Sequence, residues 1–154
     1  VNDLLNLDSE TVDQCQPVSC LCLGPDVSVA DAIAQMQSRN RGMVLVCEHQ
    51  GVVGIFTERD ALKMMAEGAN FAEPLGSRMT PRPLFLKAHD TIGRAITLMS
   101  RGGYRRLPIV DDSGHPVGIV TAEGILHFLA EQIPHLIFNL PPEPHHSAQE
   151  REGA

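Results

Sequence analysis

Val53-Gly54-Ile55-Phe56-Thr57-Glu58-Arg59-Asp60 decides the reading of this chain, because it returns as Val117-Gly118-Ile119-Val120-Thr121-Ala122-Glu123-Gly124. Working outward, Val44-Leu45-Val46-Cys47 lies over Leu107-Pro108-Ile109-Val110, and the turn glycine Gly51 lies over Gly114. Farther back, Ala32-Ile33 with Met36 lies over Ala95-Ile96 with Met99. Pro25-Asp26-Val27-Ser28-Val29 lies over Ala88-His89-Asp90-Thr91-Ile92, and beyond the opening stretch Leu62 lies over Leu126. The offset is 63 positions up to the turn glycines and 64 after them. A one-residue insertion beside a hairpin turn is where such a change is tolerated.

Both copies predict the order β-α-β-β-α. A short strand (18–23; 84–87) precedes Ser28 or Thr91, each able to cap a helix whose apolar residues recur at helical spacing: Val29, Ile33 and Met36, or Ile92, Ile96 and Met99. Two apolar strands follow (43–47 and 52–56; 107–110 and 117–120), then a closing helix (58–67; 122–132). A unit of about 60 residues has too little core to be robust alone, so the expected fold is an α/β (α+β) pair of repeats packed sheet to sheet with pseudo-twofold symmetry. The boundaries read as a lead segment (1–16), a first repeat (17–76), a second repeat (77–132), an apolar extension (133–140) and a Pro- and Glu-rich tail (141–154). The tail is expected to be disordered and to hold His145 and His146 in solvent. The lead segment, with Leu4, Leu5 and Leu7, is expected to form a short helix against the body.

Composition limits the function classes. The 154 residues are 43% hydrophobic and 20% charged, as in a globular protein, and 12 basic against 19 acidic side chains give a net charge of −7. That balance argues against nonspecific nucleic-acid or anionic-membrane binding. No apolar run reaches membrane-spanning length and the first ten residues do not resemble a signal peptide, so the expected location is the cytoplasm. Cys15, Cys20, Cys22 and Cys47 lack zinc-site spacing and are expected to be reduced thiols, with no metal bound.

The double Gly-apolar-apolar-Thr step into a closing helix resembles a tandem pair of CBS domains, the Bateman module, over residues 17–132. Gly54-Ile55-Phe56-Thr57-Glu58-Arg59-Asp60 matches that family's Gly-x-x-Thr-x-x-Asp signature in full. A carboxylate in a helix's first turn can accept hydrogen bonds from both ribose hydroxyls, with the threonine hydroxyl beside it. Thr57 and Asp60 are therefore the candidate ribose ligands. The plainer alternative is that Thr57 caps the helix and Asp60 complements its positive end. In the second copy Gly124 replaces that carboxylate and only Thr121 remains, so one good site per chain is expected.

Between Arg78 and Arg106 seven basic residues meet one acid, Asp90, which gives +6 there; the other 5 basic and 18 acidic residues give −13. The resemblance places a basic residue before the Leu107-Pro108-Ile109-Val110 strand on a nucleotide's phosphates, which implies Arg105 and Arg106, with Arg101 as a further candidate. It also implies adenine contacts at Ile55, Pro83, Leu84 and Phe85. The expectation is a non-catalytic regulatory module that binds AMP, ADP or ATP between its repeats and signals to a separate partner chain. S-adenosylmethionine and NAD stay open as ligands, and such modules pair through their helices into homodimers. The alternative is an assembly module that binds nothing. No nucleophile triad, phosphate loop or metalloprotease pattern supports an enzyme. The Arg-rich segment with Phe85 and Tyr104 keeps an RNA role as a lower-ranked rival.

Overall fold

The computed structural model describes residues 7–132. The extension at 133–140, the tail and the first six residues lie outside them, as do the expectations placed there. After a short 3-10 turn, Val12–Cys15, the order is β1 (Cys22–Leu23), α1 (Val29–Ser38), β2 (Met43–Glu48), β3 (Gly51–Thr57) and α2 (Glu58–Glu67). A second 3-10 turn, Leu75–Ser77, leads to β4 (Thr80–Pro81), β5 (Leu86–Lys87), α3 (Ile92–Gly102), β6 (Arg106–Val110), β7 (Pro116–Thr121) and α4 (Ala122–Gln132). One sheet runs β1-β2-β3-β4 and the other β5-β6-β7. Within each, the first pair is parallel and the hairpin pair antiparallel.

The helices start where the sequence predicts. Ser28 Oγ accepts from Asp31 N at 3.1 Å and Thr91 Oγ1 from Arg94 N at 3.0 Å, the two side-chain caps of equivalent helices. Gly68 and Gly103 end α2 and α3 in the left-handed conformation. Strand β2 is buried on both sides. Its even residues, Val44 and Val46, pack with Val29, Met36 and Met64 in the first helix–sheet core, while Met43 and Leu45 meet Ile119 of β7 in a cluster joining the two sheets.

The predicted opening strands are shorter than expected. Only Cys22–Leu23 and Leu86–Lys87 pair as strands, and Val18 instead forms an antiparallel bridge to Ile119 of the other repeat. Strand β4 was not anticipated. It pairs with β3 through Gly54↔Pro81 and Ile55↔Thr80, and Gly54 is required there because a Cβ would stand 2.9 Å from Thr80 O.

The segments leading the two repeats are exchanged. Val12, ahead of the first repeat, is fully buried in the core of the second with Leu86, Ile92 and Val120. Leu75, ahead of the second, is fully buried in the core of the first. The backbone bonds repeat at the same offset of 63: Val12 N to Asp90 O at 2.9 Å matches Leu75 N to Val27 O at 2.7 Å. Likewise Ile92 N to Glu10 O matches Val29 N to Glu73 O, both at 2.9 Å. Each helix start thus receives a carbonyl from the other repeat's leader, which satisfies donors a helix cannot satisfy itself.

Candidate functional site

The exchange and the joined sheets leave two clefts related by the pseudo-twofold. The first, about 340 Å³, is lined from the first repeat by Met43, Ile55, Thr57, Glu58, Arg59 and Asp60, from β4 by Thr80, and from the second repeat by Gly103, Tyr104, Arg105 and Arg106. The second, about 460 Å³, contains Thr121 and Gly124 with Val18, Arg41, Glu123 and His127. Met43, Arg105 and Arg106 line both. Met43 and Arg106 are 63 positions apart, so each takes the other's place in its own repeat.

Asp60 sits at the third position of α2 and its Oδ2 accepts from Thr57 N at 2.9 Å and from Thr57 Oγ1 at 3.2 Å. This is the capping arrangement that the plainer sequence reading proposed. It does not conflict with ligand binding, since both bonds fall on Oδ2 and Oδ1 lies outside them. Both residues are partly buried at the cleft wall.

Arg106 lies at the start of β6, on the face opposite Leu107, and reaches across to the first repeat. Its Nη2 meets Glu58 Oε1 at 3.4 Å. Gly42 makes this possible: a Cβ there would stand 2.5 Å from both Arg106 Nη2 and Glu58 Oε1. Thr57, Asp60, Ile55, Arg105 and Arg106 are thus brought to one cleft, as the sequence expects.

Arg101 is not. It stands two residues past the buried Met99, about 200° round the helix, and lines a separate cavity with Leu7, Asp8 and Arg94. Nor do Pro83, Leu84 and Phe85 line the cleft. The chain turns away after β4 at Arg82, which has a left-handed φ of 52°, and Leu84 is left exposed. Thr80 of β4 lines the cleft in their stead. Tyr104 also lines the cleft, and its signal in the sequence is its place between the Gly102-Gly103 helix end and the Arg105-Arg106 pair.

The second cleft has Glu123 in its wall but no carboxylate at the signature's last position, where the structure leaves no room for one. A Cβ at Gly124 would lie 2.6 Å from Cys15 O, because the 3-10 turn of the exchanged leader presses on the start of α4. Gly124 N instead donates to Thr121 Oγ1 at 2.8 Å.

The basic block disperses in three dimensions. Arg78 pairs with Glu67 and Glu73, Lys87 with Asp112 and Arg94 with Asp90, so Arg105 and Arg106 are what it contributes to the cleft. All four cysteines are free. Burial, aided by Asp13, pushes the Cys15 thiol up to about 11; burial and the neighbouring Cys22 push Cys20 to about 11 and Cys47 to about 12. Among the described residues no group of His, Cys, Asp and Glu is placed to hold a metal ion, and no helix is long and apolar enough to cross a membrane.

Comparison with known proteins agrees with this architecture. The CBS domain family model matches residues 16–67 and 75–131. An uncharacterized protein of Methanopyrus kandleri is 35% identical over 105 residues, 66% of this chain and 54% of that protein. Arabinose 5-phosphate isomerase of Salmonella typhi is 30% identical over 62% of this chain, which spans 30% of the isomerase. The crystal structure of CBSX2 in complex with AMP superposes with a TM-score of 0.69 at 25% identity, covering 81% of this chain and 98% of that one. The chain spans about half of the first of these relatives, and it belongs to the CBS domain family as a tandem pair of CBS domains.

Proposed function

We propose that the chain is a non-catalytic regulatory module that binds one adenosine nucleotide in the first cleft and signals its presence to a separate partner chain. The observation that carries this reading is the meeting of Asp60 and Arg106, from different repeats, in one cleft. Asp60 and Thr57 hold the ribose, Arg105 and Arg106 the phosphate, and Ile55, Thr80 and Met43 flank the base beside Tyr104. The AMP carried by the CBSX2 structure supports the choice of ligand. Enzymes such as the isomerase above extend well beyond the matched region, which fits a regulatory role for the shared part. S-adenosylmethionine and NAD carry the same adenosyl ribose and are the other ligands to compare.

Calorimetric titration of the full chain with adenosine, AMP and ATP tests this. The expected result is saturable binding, with Arg106→Ala weakening AMP by about tenfold or more, the worth of a charge-assisted bond, while adenosine is held as before. Equal losses for adenosine and AMP refute the phosphate assignment. No binding of adenosine, AMP, ATP, S-adenosylmethionine or NAD overturns the sensor reading and leaves the assembly module. That second reading has its own support in the exposed Leu62 and Met65 of α2 and Leu126 of α4, equivalent faces suited to pairing with a second copy. Sedimentation of the wild type against Leu62→Glu with Leu126→Glu distinguishes a homodimer from a monomer.

A further inference from the structure

We propose that Glu58 is a specificity-determining residue that sets which charge the cleft accepts on the ligand's 5′ side, through its ion pair with Arg106. This rests on the nucleotide reading above and adds to it the selection between anionic and cationic adenosine ligands.

The pair joins the last helix of the first repeat to the sheet of the second, 48 positions apart in sequence. The other ion pairs among the described residues link positions much closer in the chain, the longest being Lys87 with Asp112. Both partners line the cleft, so whatever occupies the phosphate position meets them together. Gly42 leaves room for the two side chains, and Gly42 O accepts from Glu58 N at 3.2 Å, which anchors the start of α2 beside them.

A phosphate that engages Arg106 must share it with the Glu58 carboxylate or displace it. Displacement leaves no buried orphan, because the Glu58 side chain is 65% exposed and sits at the positive end of α2. The cost is therefore modest, and the residue acts as a filter rather than a block. A ligand with a sulfonium, an ammonium and a carboxylate in place of the phosphate, one net positive charge, gains from the Glu58 carboxylate through that net charge. Three arginines (Arg59, Arg105, Arg106) and two acids (Glu58, Asp60) line the cleft, a surplus of one positive charge. Removing the charge of Glu58 raises that surplus to two and shifts selection toward anions. Because the pair spans the repeats, anionic and cationic ligands also leave this contact in different states, which gives a partner a difference to read.

The test is titration calorimetry at low salt of the full chain and of Glu58→Gln with adenosine, AMP and S-adenosylmethionine. The exposed pair predicts AMP about three- to fivefold tighter in the variant, adenosine unchanged and S-adenosylmethionine weaker. High salt should shrink the AMP gain. The AMP-to-adenosine affinity ratio decides. If it is unchanged or falls, or if all three ligands shift alike, the assignment of Glu58 is overturned. If the wild type binds none of the three, nor ATP or NAD, the nucleotide reading itself fails, a result separate from the others because adenosine carries no 5′ charge for Glu58 to sense.

Discussion

Restoring the family signature in the second repeat by Gly124→Asp should damage the fold before it creates a site. The position is the third residue of α4, where an aspartate would ordinarily complete a cap with Thr121 and gain about 0.3–1 kcal/mol from the helix's positive end. The structure opposes that gain with a contact of 2.6 Å between the new Cβ and Cys15 O, where real Cβ atoms stay beyond 3.0 Å. Cys15 cannot retreat freely, because it and Val12 are fully packed in the second core. Overpacking of this kind costs about 1–3 kcal/mol, so at mid-range the net loss is about 1.4 kcal/mol, and each 1 kcal/mol lowers Tm by about 2–4 °C for a chain of this length. Two assays read the result: a thermal melt, and the rate at which Cys15 reacts with a thiol reagent. The variant should melt lower and expose Cys15 faster, and it should still bind a single nucleotide. A variant at least as stable as the wild type that takes up a second equivalent would refute the steric account of the degenerate cleft.

The remaining predictions concern the cap, the exchange and the thiols. Asp60→Asn keeps an acceptor for Thr57 and should melt near the wild type while losing nucleotide affinity, whereas Asp60→Ala should lose affinity and also about 0.5–2 kcal/mol of stability in denaturant titration; equal stability of the two variants would remove the capping role. Leu75→Ala should cost about 2–5 kcal/mol and lower one cooperative transition for both repeats; a biphasic curve with an undisturbed second repeat would show that the exchanged leaders do not couple them. Cys15, Cys20 and Cys47 have folded-state thiol pKa values raised above the ordinary 9.0, so their contribution to stability is complete below pH 9 and is lost as pH rises toward 11–12. Melts across pH 8–11 should show that decline, and it should be smaller in Cys47→Ala.

What the sequence revealed and what it hid divide along a physical line. Side-chain pattern located the hairpins, the helices and their Ser28 and Thr91 caps, because period and capping chemistry are local. The pairing of Thr57 with Asp60 was legible in the signature, whereas Arg106 came to their cleft only through the family resemblance, because the repeat offset relates Arg106 to Met43 and not to Asp60. The leaders were not legible. Thr11-Val12-Asp13-Gln14 and Pro74-Leu75-Gly76-Ser77 share only one apolar position, and their equivalence is carried by backbone hydrogen bonds, to which residue type is nearly blind. Arg101 and Phe85 lie away from the first cleft for a related reason. A linear window of positive charge or apolarity does not say which way a helix face turns, or that a left-handed residue at Arg82 swings the chain off the sheet.

The exchange bears directly on how one ligand could be felt by the whole chain. Thr80, which lines the first cleft, belongs to the leader whose Leu75 fills the first core; Val18, which lines the second, belongs to the leader whose Val12 fills the second core. Each cleft therefore has walls supplied by both halves of the sequence, and Met43, Arg105 and Arg106 are common to the two. Under the proposed function, a ligand that holds Arg106 in the first cleft would compete with the second for the same side chain. Gly124 makes the two clefts unequal from the outset, since the second offers Glu123 one position off the signature while the first keeps Asp60 at it. Under the proposed function, one occupied cleft would bias a symmetric frame, and the cluster of Met43 and Leu45 with Ile119 is the packed contact through which the two sheets would share that bias.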